Sequence, residues 1–237
     1  FPSQNKVVGE EYDGKFWHIV NEDNSAMSSG ISFNVVVIND NVSNGTLVSK
    51  FVHQVTVNNS RSNITNSAAN ANSTNTLFLT NNRTVGNGGT VTNNKRTQLL
   101  WDYSLKRFYL QHDLNASLTL NARYNVLALQ QNKTNFIKAL SAATAISAPA
   151  DAIILVQRVQ GDEFDTPNLA APLSVRYDAV AKNWRIYEGA KIASLSRYVN
   201  IAIFSPNRVG AVDATPSLPS KLNAVSNSAT QIIFSWG

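Results

Sequence analysis

The chain contains no cysteine among its 237 residues. A disulfide framework, a thiol nucleophile and a zinc site of the cysteine type are therefore excluded. Charged residues are also scarce, at 15% of the chain, whereas Asn, Ser and Thr are abundant. Solubility then depends on neutral polar side chains, and this favours an extracellular or bacterial cell-surface location over that of a cytosolic enzyme.

Long apolar runs and clusters of positive charge are missing too. No stretch approaches about 18 uninterrupted apolar residues, so the sequence predicts no membrane span. The net charge is +5, but the basic residues are scattered, and their longest runs are Lys95-Arg96 and Lys106-Arg107. A nucleic-acid groove concentrates its charge on one face with aromatics between. No nucleic-acid partner is therefore predicted.

One aromatic block occurs three times along the chain. Its copies are Tyr12-Asp13, Trp17-His18-Ile19 and Phe33-Asn34-Val35; Trp101-Asp102, Phe108-Tyr109-Leu110 and Tyr124-Asn125-Val126; and Tyr177-Asp178, Trp184-Arg185-Ile186 and Val199-Asn200-Ile201. The second and third copies each follow a long β-rich stretch, whereas only eleven residues precede the first. The repeat predicts serial all-β modules, of which the first is incomplete.

Short β-type runs fill the modules. They lie at residues 31–38, 51–57, 76–80, 107–111, 124–129, 136–140, 152–157, 174–177, 183–187 and 198–204. The alanines of residues 136–150 could form a helical turn, but their place in the repeat favours strand and loop. Short strands at this spacing predict an all-β chain of tandem β-sandwich modules, immunoglobulin-like, fibronectin-like or jelly-roll-like.

The predicted organisation has five parts. Residues 1–40 are the second half of an incomplete module, residues 47–130 and 134–205 are two β-sandwich repeats, residues 206–220 are a linker, and residues 221–237 begin a further domain. That last segment resembles the first two strands of a fibronectin type III domain, because a proline-rich entry leads to Ile232-Ile233-Phe234-Ser235-Trp236. Such domains need about 90 residues, so both ends of the chain are expected to lie inside longer modules.

The block itself resembles tandem repeat domains of unknown function from large secreted or cell-surface bacterial proteins. The resemblance rests on the spacing of Tyr-Asp, Trp-x-Ile, Met-x-x-Gly and Phe-Asn-Val, clearest in residues 12–35, and it spans most of residues 1–204. It implies partners that are neighbouring copies or other parts of the same polypeptide. It implies no catalytic residues.

The repeated aromatics admit two interpretations, core or carbohydrate binding. Alternation inside β-runs favours core for Trp17, Phe33, Phe108, Tyr124 and Trp184, because a buried ring adds about 150–250 Å² of apolar contact. The ligand-binding candidates, for surface glycans or a receptor, are Trp101, Tyr103 and Tyr177. The repeated Asn34, Asn125 and Asn200 are expected to bond backbone at strand edges or turns.

Metal and catalytic sites have little support in the sequence. Asp162, Glu163 and Asp165 share one loop and are a candidate calcium site, although the spacing of a full calcium loop is missing. The histidines His18, His53 and His112 lie in different elements without ligand spacing. No GxSxG elbow is present. The sequence therefore predicts a non-enzymatic structural or adhesive segment without a required cofactor, with a carbohydrate- or receptor-binding module as the alternative.

Overall fold

A computed structural model describes residues 6–38, 47–83, 91–132, 136–159, 171–193, 198–204 and 231–236. Within these ranges the regular elements are strands apart from one short 3-10 turn, Ala69–Ala71. The strands are β1 Val8–Tyr12, β2 Trp17–Asn21, β3 Phe33–Ile38, β4 Leu47–Gln54, β5 Arg61–Asn63, β6 Thr76–Asn82, β7 Thr97–Asp102, β8 Arg107–His112, β9 Arg123–Leu129, β10 Phe136–Ser141, β11 Ile153–Val159, β12 Leu173–Asp178, β13 Asn183–Glu188, β14 Lys191–Ile192, β15 Tyr198–Phe204 and β16 Gln231–Trp236.

These strands form four packed sheets, so the predicted all-β, sandwich-like fold is confirmed. The orders are β2-β1-β6-β9-β4, β10-β15-β11-β7-β8-β5, β12-β13-β14 and β16-β3. The ambiguous alanine-rich segment begins with a strand, Phe136–Ser141. The apolar patterns therefore predicted strands, because a strand buried on one face alternates and a strand buried on both faces has a continuous apolar run.

The three aromatic blocks form hairpins of the same register. Tyr12 lies opposite Trp17 in β1-β2, Trp101 opposite Phe108 in β7-β8, and Tyr177 opposite Trp184 in β12-β13. The ring centroids of these pairs are 5.2, 4.7 and 5.5 Å apart. Directly opposite residues bring their side chains together, which is how the repeated aromatics support each hairpin.

The aspartate of each block closes the turn of its hairpin. Asp13 Oδ1 accepts hydrogen bonds from the main-chain N–H groups of the next turn residues, as do Asp102 Oδ1 and Asp178 Oδ1. Their lengths lie between 2.7 and 2.9 Å. An aspartate that bonds forward to the backbone is a common turn device, because its short side chain reaches the N–H groups two and three residues on.

Each hairpin lies beside a strand of another block. β1 runs parallel to β6, with Glu10 opposite Asn82, and β7 runs parallel to β11, with Leu99 opposite Val159. β12 lies against β16. Strands from residues 1–40, 47–130, 134–205 and 221–237 therefore share sheets, while the predicted domain boundaries stay a prediction.

The core has three apolar clusters. One lies mainly in the second block, around Tyr124 with Phe108, and includes Val159 of the third; another lies inside the third block, around Trp184 with Ile186. All of these side chains are buried. The third lies between blocks and joins β6, β9, β11 and β15 through Phe78, Leu127, Leu155 and Ala202. Trp17 and Phe33, in the first block, are half-buried. The repeated aromatics thus contribute most to the cores of the second and third blocks.

Candidate functional site

A central cleft opens where β6 and β11 pass the starts of β1, β7 and β12. The space in it that is open to water-sized molecules is about 120 Å³. Its described lining residues include Val8, Thr97 and Leu173, which are the first residues of β1, β7 and β12. Lys95, Arg96 and Arg158 also line the cleft. The cleft is thus built from all three blocks.

Equivalent backbone bonds fix the walls of the central cleft. Val8, Thr97 and Leu173 occupy the same hairpin position, opposite the last paired residue of the second strand. The residue before each of them accepts a main-chain hydrogen bond: Val7 from Glu22, Arg96 from Asp113, and Pro172 from Gly189, at 2.9, 3.0 and 3.2 Å. The cleft therefore has a rigid backbone frame, since each wall is anchored across its own hairpin.

The electrostatic character of the central cleft is positive. Lys95, Arg96 and the buried Arg158 line it, and no carboxylate stands among its lining residues in the described part of the chain. Gln157 is committed to the fold, because its Oε1 accepts from Leu79 N at 3.0 Å and its Nε2 donates to Arg158 O at 3.2 Å. Basic residues that line a recess attract anions such as carboxylates or sulfates.

A buried polar network supports one wall. The side-chain amide of Asn93 donates to the Tyr124 hydroxyl at 2.6 Å and to Asn81 Oδ1 at 3.2 Å, and its main-chain N–H donates to Glu22 Oε2 at 2.7 Å. Burial raises the pKa of Tyr124 far above its usual value, so its hydroxyl stays neutral. The Tyr124 hydroxyl is thus a neutral group beside the cleft, and Glu22 is the residue of this network that can carry a charge.

Glu22 occupies a place made for it by Gly9. The Glu22 side chain is 1% exposed, and a Cβ built on Gly9 would collide with its Oε1. Burial raises the pKa of Glu22 to about 7, against the lowering effects of the Asn93 N–H and the Arg83 guanidinium, whose Nε lies 4.0 Å from Oε2. Glu22 therefore titrates near neutral pH.

A second carboxyl, Glu10, is also buried, beside Gly9 on the same strand. Its Oε1 accepts from Thr80 Oγ1 at 3.1 Å, and Oε2 is buried without a hydrogen bond. Burial raises the pKa of Glu10 well above its ordinary value, because loss of hydration disfavours the carboxylate. On β1, the buried Glu10 therefore lies next to Gly9, the residue that leaves room for the Glu22 side chain.

The predicted ligand-binding aromatics do not converge. Trp101 and Tyr177 are half-buried, and each packs edge-on against its hairpin partner, Phe108 and Trp184 respectively. Tyr103 lies in the turn between β7 and β8 and is 78% exposed. Trp101 and Tyr103 share a hairpin, whereas Tyr177 lies in a different sheet. Their binding role stays a prediction.

The predicted calcium candidates fall in a part of the chain that the structure does not describe. Asp162, Glu163 and Asp165 lie outside the described residues. Among the residues that the structure describes, no group of three or more potential metal ligands is assembled. His18 is exposed and bonds Asp13, while His112 is buried at the end of β8. The calcium prediction is therefore untested.

A serine and a histidine meet on β4 and β5. His53 Nε2 and Ser62 Oγ are 2.9 Å apart, and both residues are buried beside a surface hollow. Burial lowers the pKa of His53 to about 4, so its imidazole is a weak base at neutral pH. A general base works best with a pKa near the operating pH, and the geometry therefore favours a structural bond between the two strands.

Two of the three repeated asparagines bond backbone as expected, although Asn200 does so from a strand that is paired on both sides rather than at an edge or turn. Asn34 Nδ2 donates to Ile154 O at 3.2 Å, and Asn200 Nδ2 donates to Leu77 O at 3.0 Å. Asn125 differs, because its Oδ1 accepts from Asn82 Nδ2 at 2.7 Å. The backbone acceptors belong to other blocks, so these asparagines join blocks to one another.

Sequence reasoning missed the central cleft and the Glu22 network. Glu22 stands in the string Asn21-Glu22-Asp23, which reads as a solvated acidic loop. The available signal was Gly9, a glycine inside a β-type run, since such a glycine often marks close approach of another group. Nothing local, however, identifies Glu22 as the group that approaches.

Comparison with known proteins gives one family. Residues 9–128, just over half of the chain, match the domain of unknown function DUF7452. No curated protein and no solved structure matches the chain. Within the described residues there is no apolar helix long enough to cross a membrane. By the extent of the match, from β1 to β9, the chain belongs to the DUF7452 family.

Proposed function

We propose that this chain is a non-enzymatic structural or adhesive segment of a larger bacterial surface or secreted protein, built from tandem repeat modules. The observation that carries the proposal is that two of the three hairpins pair with strands of other blocks. β1 pairs with β6 and β7 pairs with β11, so a hairpin of one block extends a sheet of another. Such sharing makes the blocks one mechanical unit, because no block can separate without breaking backbone pairs.

The surface composition supports the same role. Charged residues form 15% of the chain, and neutral polar side chains take their place. A weakly charged surface rich in amides and hydroxyls offers hydrogen bonds to polysaccharides and to other copies with little ionic repulsion. This is a favourable surface for a segment that spans, adheres or assembles.

Surface labelling of cells tests the proposed location and role. Antibodies against the purified chain are applied to intact cells of the source organism and to its culture medium, with a cytosolic protein as the control. We expect labelling of intact cells or recovery from the medium. Labelling that requires permeabilisation, or robust turnover of polysaccharides or peptides by the purified chain, would contradict the proposal.

A second candidate function is recognition of an acidic carbohydrate. Two observations favour it: the positive central cleft with Arg96 at its wall, and the exposed ring of Tyr103 on a hairpin turn. Arginine pairs with carboxylates and sulfates, and an exposed ring stacks on a sugar face. The two sites predict different ligand requirements, charge for the cleft and a flat sugar face for the turn.

A glycan array separates these sites. Arg96→Gln should abolish binding of uronate or sulfated glycans if the cleft is used, and Tyr103→Ala should abolish binding if the turn is used. Val180→Ala is the control, since Val180 is 95% exposed in the turn of a different hairpin, β12-β13. If Arg96→Gln and Tyr103→Ala both leave glycan binding unchanged at unchanged thermal stability, both sites are rejected.

A further inference from the structure

The strand Gln231–Trp236 pairs with β3, the asparagine-bearing strand of the first block. In the second block β6 pairs antiparallel with β9, and Thr80 lies opposite Asn125; in the third block β11 pairs with β15, and Gln157 lies opposite Asn200. In the first block β16 pairs antiparallel with β3, and Ser235 lies opposite Asn34. β16 therefore occupies the position in the first block that β6 and β11 occupy in the others.

The neighbours of β16 agree with this position. β6 and β11 lie against each other and against β16, so the three strands form the centre of the molecule. β6 also lies against β15, and β11 lies against β3; β16 completes the series by lying against β9. Each central strand thus meets the asparagine-bearing strand of another block.

The repeated asparagines secure two of these contacts between a central strand and the asparagine-bearing strand of another block. Asn200 donates to Leu77 O and Asn34 donates to Ile154 O. The acceptor Leu77 lies three residues before Thr80, and the acceptor Ile154 lies three residues before Gln157. Thr80 and Gln157 are the central-strand residues that lie opposite a repeated asparagine. In β16 the same position is Ile232, three residues before Ser235.

Asn125 is the asparagine that should donate to Ile232 O. Its Nδ2 is buried and has no hydrogen-bond partner. A buried amide without a partner costs free energy, so the junction of β9 with β16 is less well satisfied than its two counterparts. Of the three junctions between central strands and asparagines, the one made by residues 231–236 is therefore expected to open first.

We propose that residues 231–236 are an exchangeable strand, and that the position beside β3 also accepts the same segment of a second copy of this chain. The proposal rests on the structural role proposed above and supplies its partner. Residues 205–230 connect β15 to β16, and 26 residues can extend up to about 86–94 Å. That reach is sufficient for β16 to leave its own copy and pair with β3 of another.

Exchange conserves the contacts of the closed chain. A β3 without a partner would expose its edge, and an open edge pairs readily with another strand. The same backbone pairs form whether the strand comes from its own chain or from a second copy, which is the general condition for strand swapping. A strand attached to its own chain competes at an effective concentration on the order of millimolar. The strand of a second copy competes at the protein concentration, so exchange should increase as that concentration rises.

Cysteine pairing tests the exchange, and the absence of native cysteine makes the result unambiguous. Ile232 lies opposite Val37, which is 52% exposed. Full-length chains that carry Val37→Cys alone, isotopically labelled, are mixed with full-length chains that carry Ile232→Cys alone, incubated at increasing concentration and oxidised. We expect a disulfide-linked heterodimer at least tenfold above that of the control mixture.

The control mixture replaces Ile232→Cys with Val180→Cys, at a turn position that is 95% exposed and not paired with β3. A heterodimer yield equal to that of this control overturns the exchange. The double variant Val37→Cys/Ile232→Cys, oxidised at high dilution, should form an internal link. An internal link without heterodimers rejects exchange but supports the pairing of β16 with β3. If neither the internal link nor the heterodimer forms, the position of β16 beside β3 is itself rejected. Surface labelling of cells tests the structural role separately.

Discussion

The side-chain amide of Asn200 donates to the main-chain carbonyl of Leu77, 3.0 Å away and 123 positions earlier in the chain. This bond joins β15 of the third block to β6 of the second. We expect Asn200→Ala to lower the free energy of unfolding by about 1–3 kcal/mol, because it leaves a buried backbone oxygen without its donor. Urea unfolding measures the loss, and Asn58→Ala, at an exposed position, should change stability by less than about 0.5 kcal/mol.

The pKa of Glu22 predicts a pH-dependent difference between wild type and Glu22→Gln. Because burial raises the pKa to about 7, the native state favours the protonated carboxyl. This contribution is fully present below the unfolded pKa of about 4.3 and is lost as the pH rises through 7. Glu22→Gln should therefore gain about 3 kcal/mol on wild type between pH 4.5 and pH 8.

Denaturant unfolding of both proteins across this range checks the prediction. The difference between them removes the contribution of His53, whose lowered pKa acts in the opposite direction as the pH falls from 6.5 to about 4. A difference that stays constant with pH would show that Glu22 has an ordinary pKa.

Gly9→Ala should destabilise the fold, because its new methyl group meets Glu22 Oε1. The carboxyl cannot simply swing away, since its Oε2 holds the Asn93 N–H at 2.7 Å. We expect a loss of about 1–3 kcal/mol, typical of overpacking. Thermal or urea unfolding measures it in two backgrounds, and the loss should shrink when Glu22→Ala is also present; equal losses in both would place the strain elsewhere.

Asp178→Ala should weaken the β12-β13 hairpin by about 1 kcal/mol, because Oδ1 accepts from both Val180 N and Ala181 N at 2.9 Å. Asp178→Asn is the matched control, since its amide oxygen can accept the same bonds. Hydrogen exchange of the two turn amides reports the effect locally. Equal exchange in the Ala and Asn variants would mean that the side chain does not hold the turn.

Local patterns predicted the strands, and long-range packing decided the rest. The local pattern was sufficient for residues 183–187 and 198–204. The first strand buries Trp184 and Ile186 at period two, whereas the continuous apolar run of the second is buried on both faces. The pairing of β1 with β6 was not predictable from Val8–Tyr12, since parallel pairing between blocks depends on how three blocks close together. The burial of Glu22 was hidden for the same reason, because the group that covers it, Gly9, pairs with Asn81 of another block.

The pairing of β16 with β3 also has a consequence for synthesis. Ile38 is made 193 residues before Gln231, an interval of about 10–40 s at usual ribosomal rates of about 5–20 residues per second. Throughout that interval Phe33-Asn34-Val35-Val36-Val37-Ile38, an apolar β-type run, lacks its partner. Until a strand 231–236 reaches it, that segment of a new chain is therefore an open edge, and we expect a chaperone or rapid export to shield it.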